Sequence, residues 1–151
     1  MRLFIAEKPN LAKAIANGLG NGRTENGCIR CGDDTVTWCF GHMLELAWPQ
    51  EYKPEYAQWR REHLPIIPSE WKYKVKKDSA KQLAVIGSLL READSVVNAG
   101  DPDREGQLLV DEVLEHFKYR GPVARIWLPS LDDKSVRIAL NGIRDNTPYA
   151  P

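Results

Sequence analysis

Short apolar segments alternate with amphipathic helical patterns along this chain of 151 residues. The apolar run at residues 3–6 precedes a helical pattern at 10–19. The second half continues with predicted strands and helices at 95–99, 103–117, 123–128 and 132–143. This alternation favours a largely parallel sheet with helices on both faces, because parallel strands need crossovers that cover the sheet. We therefore predict an α/β fold in one domain at residues 1–145, followed by a linker at 146–151.

Two features interrupt this alternation. Segments 28–30 and 35–40 flank a Gly-Asp-Asp turn, a pattern that predicts a β-hairpin. Residues 47–70 form a long irregular insertion rich in proline and aromatic residues, and its length favours an ordered, functional excursion. A strand and an amphipathic helix are predicted after it, at 71–75 and 80–93.

Three carboxylates, those of Asp101, Asp103 and Glu105, stand at alternate positions just after the predicted strand at 95–99. Proteins of the α/β class bind ligands at the carboxyl ends of their strands. Carboxylates gathered there would repel one another unless a hard divalent cation such as Mg²⁺ neutralised them. Helix capping is the alternative, with Asp101 as the N-cap, Pro102 as the first helical residue and the other acids facing the helix dipole.

The overall charge of the chain gives no argument for a nucleic-acid partner. Lys plus Arg and Asp plus Glu number 21 each, so the net charge is zero. Any such binding must use local basic patches, such as Arg60 with Arg61 or the stretch 72–77, and a solvated strand face explains the latter equally well.

The composition also indicates the cellular compartment of the protein. No segment is long enough to cross a bilayer and the amino terminus does not resemble a signal peptide, so we expect a soluble, cytoplasmic protein with no membrane partner. The three cysteines fit a reducing compartment because an odd number argues against a disulfide framework. Cys28 and Cys31 have zinc-knuckle spacing, but no second ligand pair completes a structural zinc site.

The first predicted strand also ends in charged residues, Glu7 and Lys8. If strands 3–6 and 95–99 are neighbours, one edge of the sheet gathers their carboxylates and a lysine. A metal held by carboxylates beside a cation is suited to phosphoryl transfer, because both stabilise charge on phosphate oxygens.

Three segments of the chain together resemble a known family. They are Ile5-Ala6-Glu7-Lys8-Pro9, Gly41-His42-Met43-Leu44-Glu45 and Asp101-Pro102-Asp103-Arg104-Glu105-Gly106-Gln107-Leu108-Leu109. In this order they resemble the Toprim domain of type IA DNA topoisomerases, and within that family bacterial topoisomerase III. The resemblance covers nearly the whole chain and implies a Toprim, Rossmann-like fold.

The resemblance also implies roles for matching residues. Glu7 matches a glutamate beside the scissile phosphate that assists proton transfer, and Lys8 matches a lysine that contacts that phosphate. Asp101, Asp103 and Glu105 match the acids that bind Mg²⁺, and we count Glu7 as a further metal ligand.

Two more residues belong to the resembling motifs, and their roles stay open. His42 falls in the family's Gly-His motif near the site, and a purely structural histidine is the alternative. Arg104 is flanked by the acids and could contact DNA phosphate or pair with Glu7.

The family's nucleophile is a tyrosine in a separate downstream domain, where it becomes linked to a 5′ phosphate. None of the five tyrosines has that motif around it. The resemblance therefore implies the N-terminal part of a longer enzyme that cleaves and religates single-stranded DNA, and we expect the isolated chain to be inactive. A stand-alone Toprim nuclease, in which metal-activated water replaces tyrosine, and a non-catalytic binding module are the alternatives.

Overall fold

The computed structural model describes residues 1–20 and 22–150, which form nine strands and five α-helices. The strands are β1 (Arg2–Ala6), β2 (Arg23–Glu25), β3 (Cys28–Cys31), β4 (Asp34–Trp38), β5 (Leu44–Leu46), β6 (Tyr73–Val75), β7 (Ser95–Ala99), β8 (Val123–Arg125) and β9 (Arg144–Asp145). The helices are α1 (Pro9–Gly18), α2 (Pro49–Tyr52), α3 (Ala80–Glu92), α4 (Arg104–His116) and α5 (Asp133–Asn141). None of these helices is both long and apolar enough to cross a membrane.

Seven of the strands form one mixed sheet in the order β2-β3-β4-β1-β7-β8-β9. The four central strands β4, β1, β7 and β8 run parallel, whereas β2, β3 and β9 add antiparallel edges. The predicted largely parallel sheet and its hairpin, β3–β4, are therefore confirmed. The edge strands β2 and β9 were not predicted, because segments of two or three residues are too short to show a period.

The central strand β1 is buried on both faces. Leu3 and Ile5 belong to the apolar cluster formed with α3 and α4, while Phe4 and Ala6 belong to the cluster formed with α1 and α5. All four side chains are fully buried. A strand covered on both faces has a continuous apolar sequence instead of an alternating one, which is why residues 3–6 indicated a parallel strand.

The turn from β7 into α4 differs from the capping alternative. Asp103, not Asp101, is the N-cap, and its Oδ1 accepts the Gly106 backbone N–H at 2.7 Å. The helix therefore begins at Arg104, so Pro102 lies before it. Asp101 is thus left out of the cap and is available to other partners.

The insertion at 47–70 is more regular than predicted. It contains α2 and two 3-10 turns, Pro54–Ala57 and Arg61–His63. The strand expected at 71–75 is Tyr73–Val75, which pairs antiparallel with β5 in a separate two-stranded sheet. The insertion thus leaves the main sheet and returns to it through α3.

The carboxyl-terminal segment packs against the domain. β9 pairs with β8, and the buried Asn146 accepts a hydrogen bond from Gln107 Nε2 at 3.0 Å. The Tyr149 ring lies 5.6 Å from that of Trp127. The segment predicted as a linker at 146–151 therefore starts with residues that contact the sheet and α4, while Pro151 lies outside the described residues.

Candidate active site

Two neighbouring strands deliver charged residues to one edge of the sheet. β1 and β7 pair in parallel with Ala6 opposite Ala99, so the segments that follow them leave the sheet side by side. The backbone N–H of Asp101 donates to Glu7 Oε2 at 3.1 Å. Residues far apart in sequence are therefore in direct contact at the carboxyl end of the sheet, where α/β proteins place their ligands.

Lys8 lies between these two carboxylates. Its Nζ is 2.8 Å from Asp101 Oδ2 and 3.7 Å from Glu7 Oε1. The hydrogen bond to Asp101 raises the pKa of Lys8, with a further contribution from Glu7, so the ammonium stays charged at neutral pH. Half of the Lys8 side chain is exposed, which leaves the ammonium accessible from solvent.

Asp103 and Glu105 have separate partners. Asp103 caps α4, and the Glu105 side chain is 79% exposed with Oε1 3.8 Å from His42 Nε2. Within residues 1–20 and 22–150, no group of three or more acidic, His or Cys side chains is arranged to hold a metal ion. The structure thus brings Glu7 and Asp101 together with Lys8, and leaves the other two predicted metal ligands outside that contact.

The donor chemistry at this edge nevertheless fits a hard cation. Asp101 and Glu7 offer carboxylate oxygens, the ligand type that Mg²⁺ prefers. The ammonium of Lys8 occupies the space between them and provides the positive charge that two adjacent carboxylates require.

His42 is held by acids on α4. Its Nδ1 lies 2.9 Å from Glu112 Oε2, while Nε2 faces Glu105. Glu112 was not among the predicted site residues. Its spacing from Glu105, seven residues along one helix, places both on the same face and is the signal that could have identified it.

Arg104 does not pair with Glu7. Among the ion pairs of the described residues, none joins these two side chains. Arg104 instead lines a cleft with Asp103, Trp127 and Tyr149 beside the start of α4. Contact of Arg104 with DNA phosphate stays a prediction.

The buried Arg125 supports the loop that carries Asp101. Its guanidinium donates to the carbonyl oxygens of Asn98 at 3.1 Å, Gly100 at 2.8 Å and Asp101 at 2.6 Å. Burial lowers the pKa of Arg125, and the nearby Asp111 and other acids oppose that effect. The sequence signal for this residue is a lone arginine within a predicted apolar strand.

The fold and the charged sheet edge define the class of protein, and comparisons agree. The family model for the Toprim domain matches residues 2–131, so this chain belongs to the Toprim family. A crystal structure of full-length topoisomerase I from Thermotoga maritima has the same fold, with a TM-score of 0.61 at 19% identity, over 95% of this chain and 21% of that one.

Within that class, the relatives are DNA topoisomerases. The chain is 47% identical to DNA topoisomerase 3 of Vibrio cholerae over 99% of its own length. It is 48% identical to DNA topoisomerase 3 of Haemophilus influenzae over its whole length. In both cases it spans 24% of the relative, so it resembles one part of a larger protein.

Proposed function

We propose that this chain is the metal-binding part of a type IA DNA topoisomerase of the topoisomerase III kind, an isomerase that cleaves and religates single-stranded DNA. The observation that carries the proposal is the contact of Glu7, Lys8 and Asp101 at the ends of two parallel strands. It occurs in a chain nearly half identical to two DNA topoisomerases 3.

Glu7 and Lys8 are assigned to the scissile phosphate. Glu7 uses Oε2 to accept the Asp101 N–H and holds Oε1 on the side of Lys8, where a carboxylate can exchange a proton with a nearby oxygen. Lys8 is charged and half exposed, so its ammonium can turn from Asp101 to a phosphate oxygen without crossing the core.

Asp101, Asp103, Glu105 and Glu7 are assigned to Mg²⁺. When bound, the cation would screen phosphate charge during transesterification. Glu105 is exposed and free to rotate towards the edge, and Asp103 uses Oδ1 for the helix cap. Arg125 contributes by fixing the carbonyls of the loop, which limits the positions open to Asp101.

The proposal includes partners outside this chain. The tyrosine nucleophile belongs to the remaining topoisomerase domains, which fits a chain that spans about a quarter of its relatives. Single-stranded DNA is the substrate. A cytoplasmic location completes the proposal, since the three cysteines are free thiols that suit a reducing compartment.

Calorimetric titration of the chain with Mg²⁺ tests the metal assignment. We expect saturable, weak binding that the double variant Asp101→Asn with Asp103→Asn abolishes. Asparagine is also a good N-cap, so this variant keeps the α4 cap and should fold. Asp78→Asn with Asp133→Asn removes the same number of charges at exposed positions in the first turns of two other helices, so it is the control and should bind as the original chain does. Equal affinity in the double variant would exclude these ligands.

A further inference from the structure

The guanidinium of Arg125 forms no hydrogen bond to a carboxylate in the part of the chain that the structure describes. The residue is 1% exposed. Its hydrogen bonds go to uncharged oxygens of Asn98, Gly100 and Asp101. Such oxygens solvate a cation without neutralising it, and a buried charge is costly unless an opposite charge lies near. The arginine that supports the Asp101 loop therefore depends on a counter-charge supplied from elsewhere.

Asp111, on α4, is the acid whose charge acts most strongly on Arg125. Burial lowers the pKa of the guanidinium, and Asp111 makes the largest contribution among the acids that oppose this effect. The carboxylate of Asp111 accepts hydrogen bonds from Gln107 Nε2 at 2.9 Å and from Asn98 Nδ2 at 3.3 Å. These donors oppose the burial that raises the pKa of Asp111, so they favour its charged form.

The amide of Asn98 connects the two charges. Its Oδ1 accepts from Arg125 Nη1 at 3.2 Å and from the Gly100 backbone N–H at 3.0 Å. Its Nδ2 donates to Asp111 Oδ1 at 3.3 Å. The opposite orientation would place the amide N–H groups against two donors and the amide oxygen against a carboxylate. A carboxylate that accepts from one end of an amide polarises it and makes the other end a stronger acceptor. The hydrogen bond to Gly100 therefore depends on the charge of Asp111.

We propose that Asp111 is a positioning residue of the metal site. Its charge balances Arg125 and orients Asn98, and those two side chains hold the loop that carries Asp101. They do so through carbonyl oxygens of the loop and the Gly100 N–H. Because the backbone is fixed there, the Asp101 carboxylate loses less conformational freedom when it binds Mg²⁺. The proposal rests on the proposed function and adds a residue that does not itself bind the metal.

Hydrogen exchange of the backbone amides, measured by NMR without Mg²⁺, tests the link to the loop. Asp111→Asn removes the charge and keeps the size of the side chain. The Gly100 amide should then exchange about tenfold faster, because its bond to Asn98 is weaker, while the Val97 amide within β7 should change much less. Glu115→Gln removes an equal charge at an exposed position one turn later on α4 and is the matched control. Equal Gly100 exchange in the two variants, or an increase at Val97 as large as that at Gly100, would overturn the proposal.

A double-mutant cycle with Arg125→Met shows whether Asp111 acts through Arg125. Calorimetry should find a severalfold lower Mg²⁺ affinity in Asp111→Asn than in the original chain, and no further loss when the same change is made in Arg125→Met. The same loss in both backgrounds would mean that Asp111 acts on the metal through its own field, and it would overturn the positioning role. If Arg125→Met does not fold, the exchange comparison in Asp111→Asn decides.

The two measurements separate this proposal from the proposed function. Intact, Asp101-dependent Mg²⁺ binding with unchanged Gly100 exchange in Asp111→Asn would overturn the role of Asp111 alone. Faster Gly100 exchange in Asp111→Asn without Mg²⁺ binding by the original chain would overturn the metal assignment and retain the link from Asp111 to the loop.

Discussion

Lys8 places its ammonium group where a cation bound by the carboxylates of Glu7 and Asp101 would lie. Strand ends alone predicted that these three residues would meet, because parallel neighbours leave a sheet at the same edge. The 2.8 Å pairing of Lys8 with Asp101 was not predictable, since it depends on a long side chain turning back across the loop. In the proposed site, the Lys8 ammonium would therefore compete with Mg²⁺ for these carboxylates.

Replacing Lys8 should tighten Mg²⁺ binding. Lys8→Met removes a positive charge beside the carboxylates, and a partly exposed pair of this kind contributes on the order of 1 kcal/mol or less. We expect calorimetry to show a severalfold higher affinity. Lys13→Met, a change of equal charge within α1, is the control. Weaker binding in Lys8→Met would show that the ammonium assists the metal site instead of competing with it.

Cys39 should resist modification in the folded chain. It is completely buried, and burial raises the pKa of its thiol to about 12, so almost no thiolate forms at pH 8. Mass spectrometry after iodoacetamide treatment should find the half-buried Cys31 modified first and Cys39 modified only in denaturant. Early labelling of Cys39 at pH 8 would mean that the sheet edge near Glu7 opens readily.

At the scale of elements, the turn between β7 and α4 depends on two glycines. A Cβ at Gly100 would overlap the carbonyl of Gly106, and one at Gly106 would overlap the backbone of Asp101. The loop can therefore pass close to the first turn of α4 only without side chains at these positions. This tight passage sets where Asp101 leaves the strand and where Arg125 reaches its carbonyls.

Gly100→Ala should destabilise the domain. The added methyl group meets backbone atoms, which cannot move aside like a flexible side chain, so a loss of roughly 3 kcal/mol is expected in urea unfolding. Gly142→Ala, at the C-cap of α5, is the control because its Cβ would come no closer than 3.3 Å to the Ile138 carbonyl oxygen, which requires only a small shift, so a much smaller loss is expected. Similar midpoints for the two variants would contradict this account of the turn.

The elements that sequence predicted share a physical property. Helices α1, α3, α4 and α5 and the buried strands have periodic or continuous apolar patterns, and tertiary packing preserves such patterns. The observed helix boundaries differ from the predicted ones where a side-chain cap sets them, as Asp103 does at the start of α4. Glu112 and Arg125 carry local signals, a helical spacing and a lone charge in an apolar strand, but their partners, His42 and the Asp101 carbonyl, are distant in sequence, and local patterns do not encode those contacts.

For the whole molecule, we expect no relaxation of supercoiled DNA by the isolated chain. Relaxation by the proposed mechanism needs a tyrosine nucleophile and a strand-passing cavity, whereas this chain spans 24% of the DNA topoisomerases 3 that it matches. Incubation with plasmid and Mg²⁺, followed by gel electrophoresis and a search for protein-linked DNA, should show unchanged plasmid. A covalent adduct would contradict the proposal that the tyrosine nucleophile lies in another domain of the topoisomerase. Slow nicking without an adduct would support the nuclease alternative.

The central position of β1 joins groups that are 94 residues apart, Glu7 and Asp101. During synthesis on the ribosome, Glu7 emerges long before its partner strand, and no local hairpin can bring the two together early. The charged edge therefore comes into existence only when β7 docks beside β1, after the insertion and α3 have been made. Contact between Glu7 and Asp101 thus reports that β7 has docked beside β1, a pairing that depends on residues far apart in sequence.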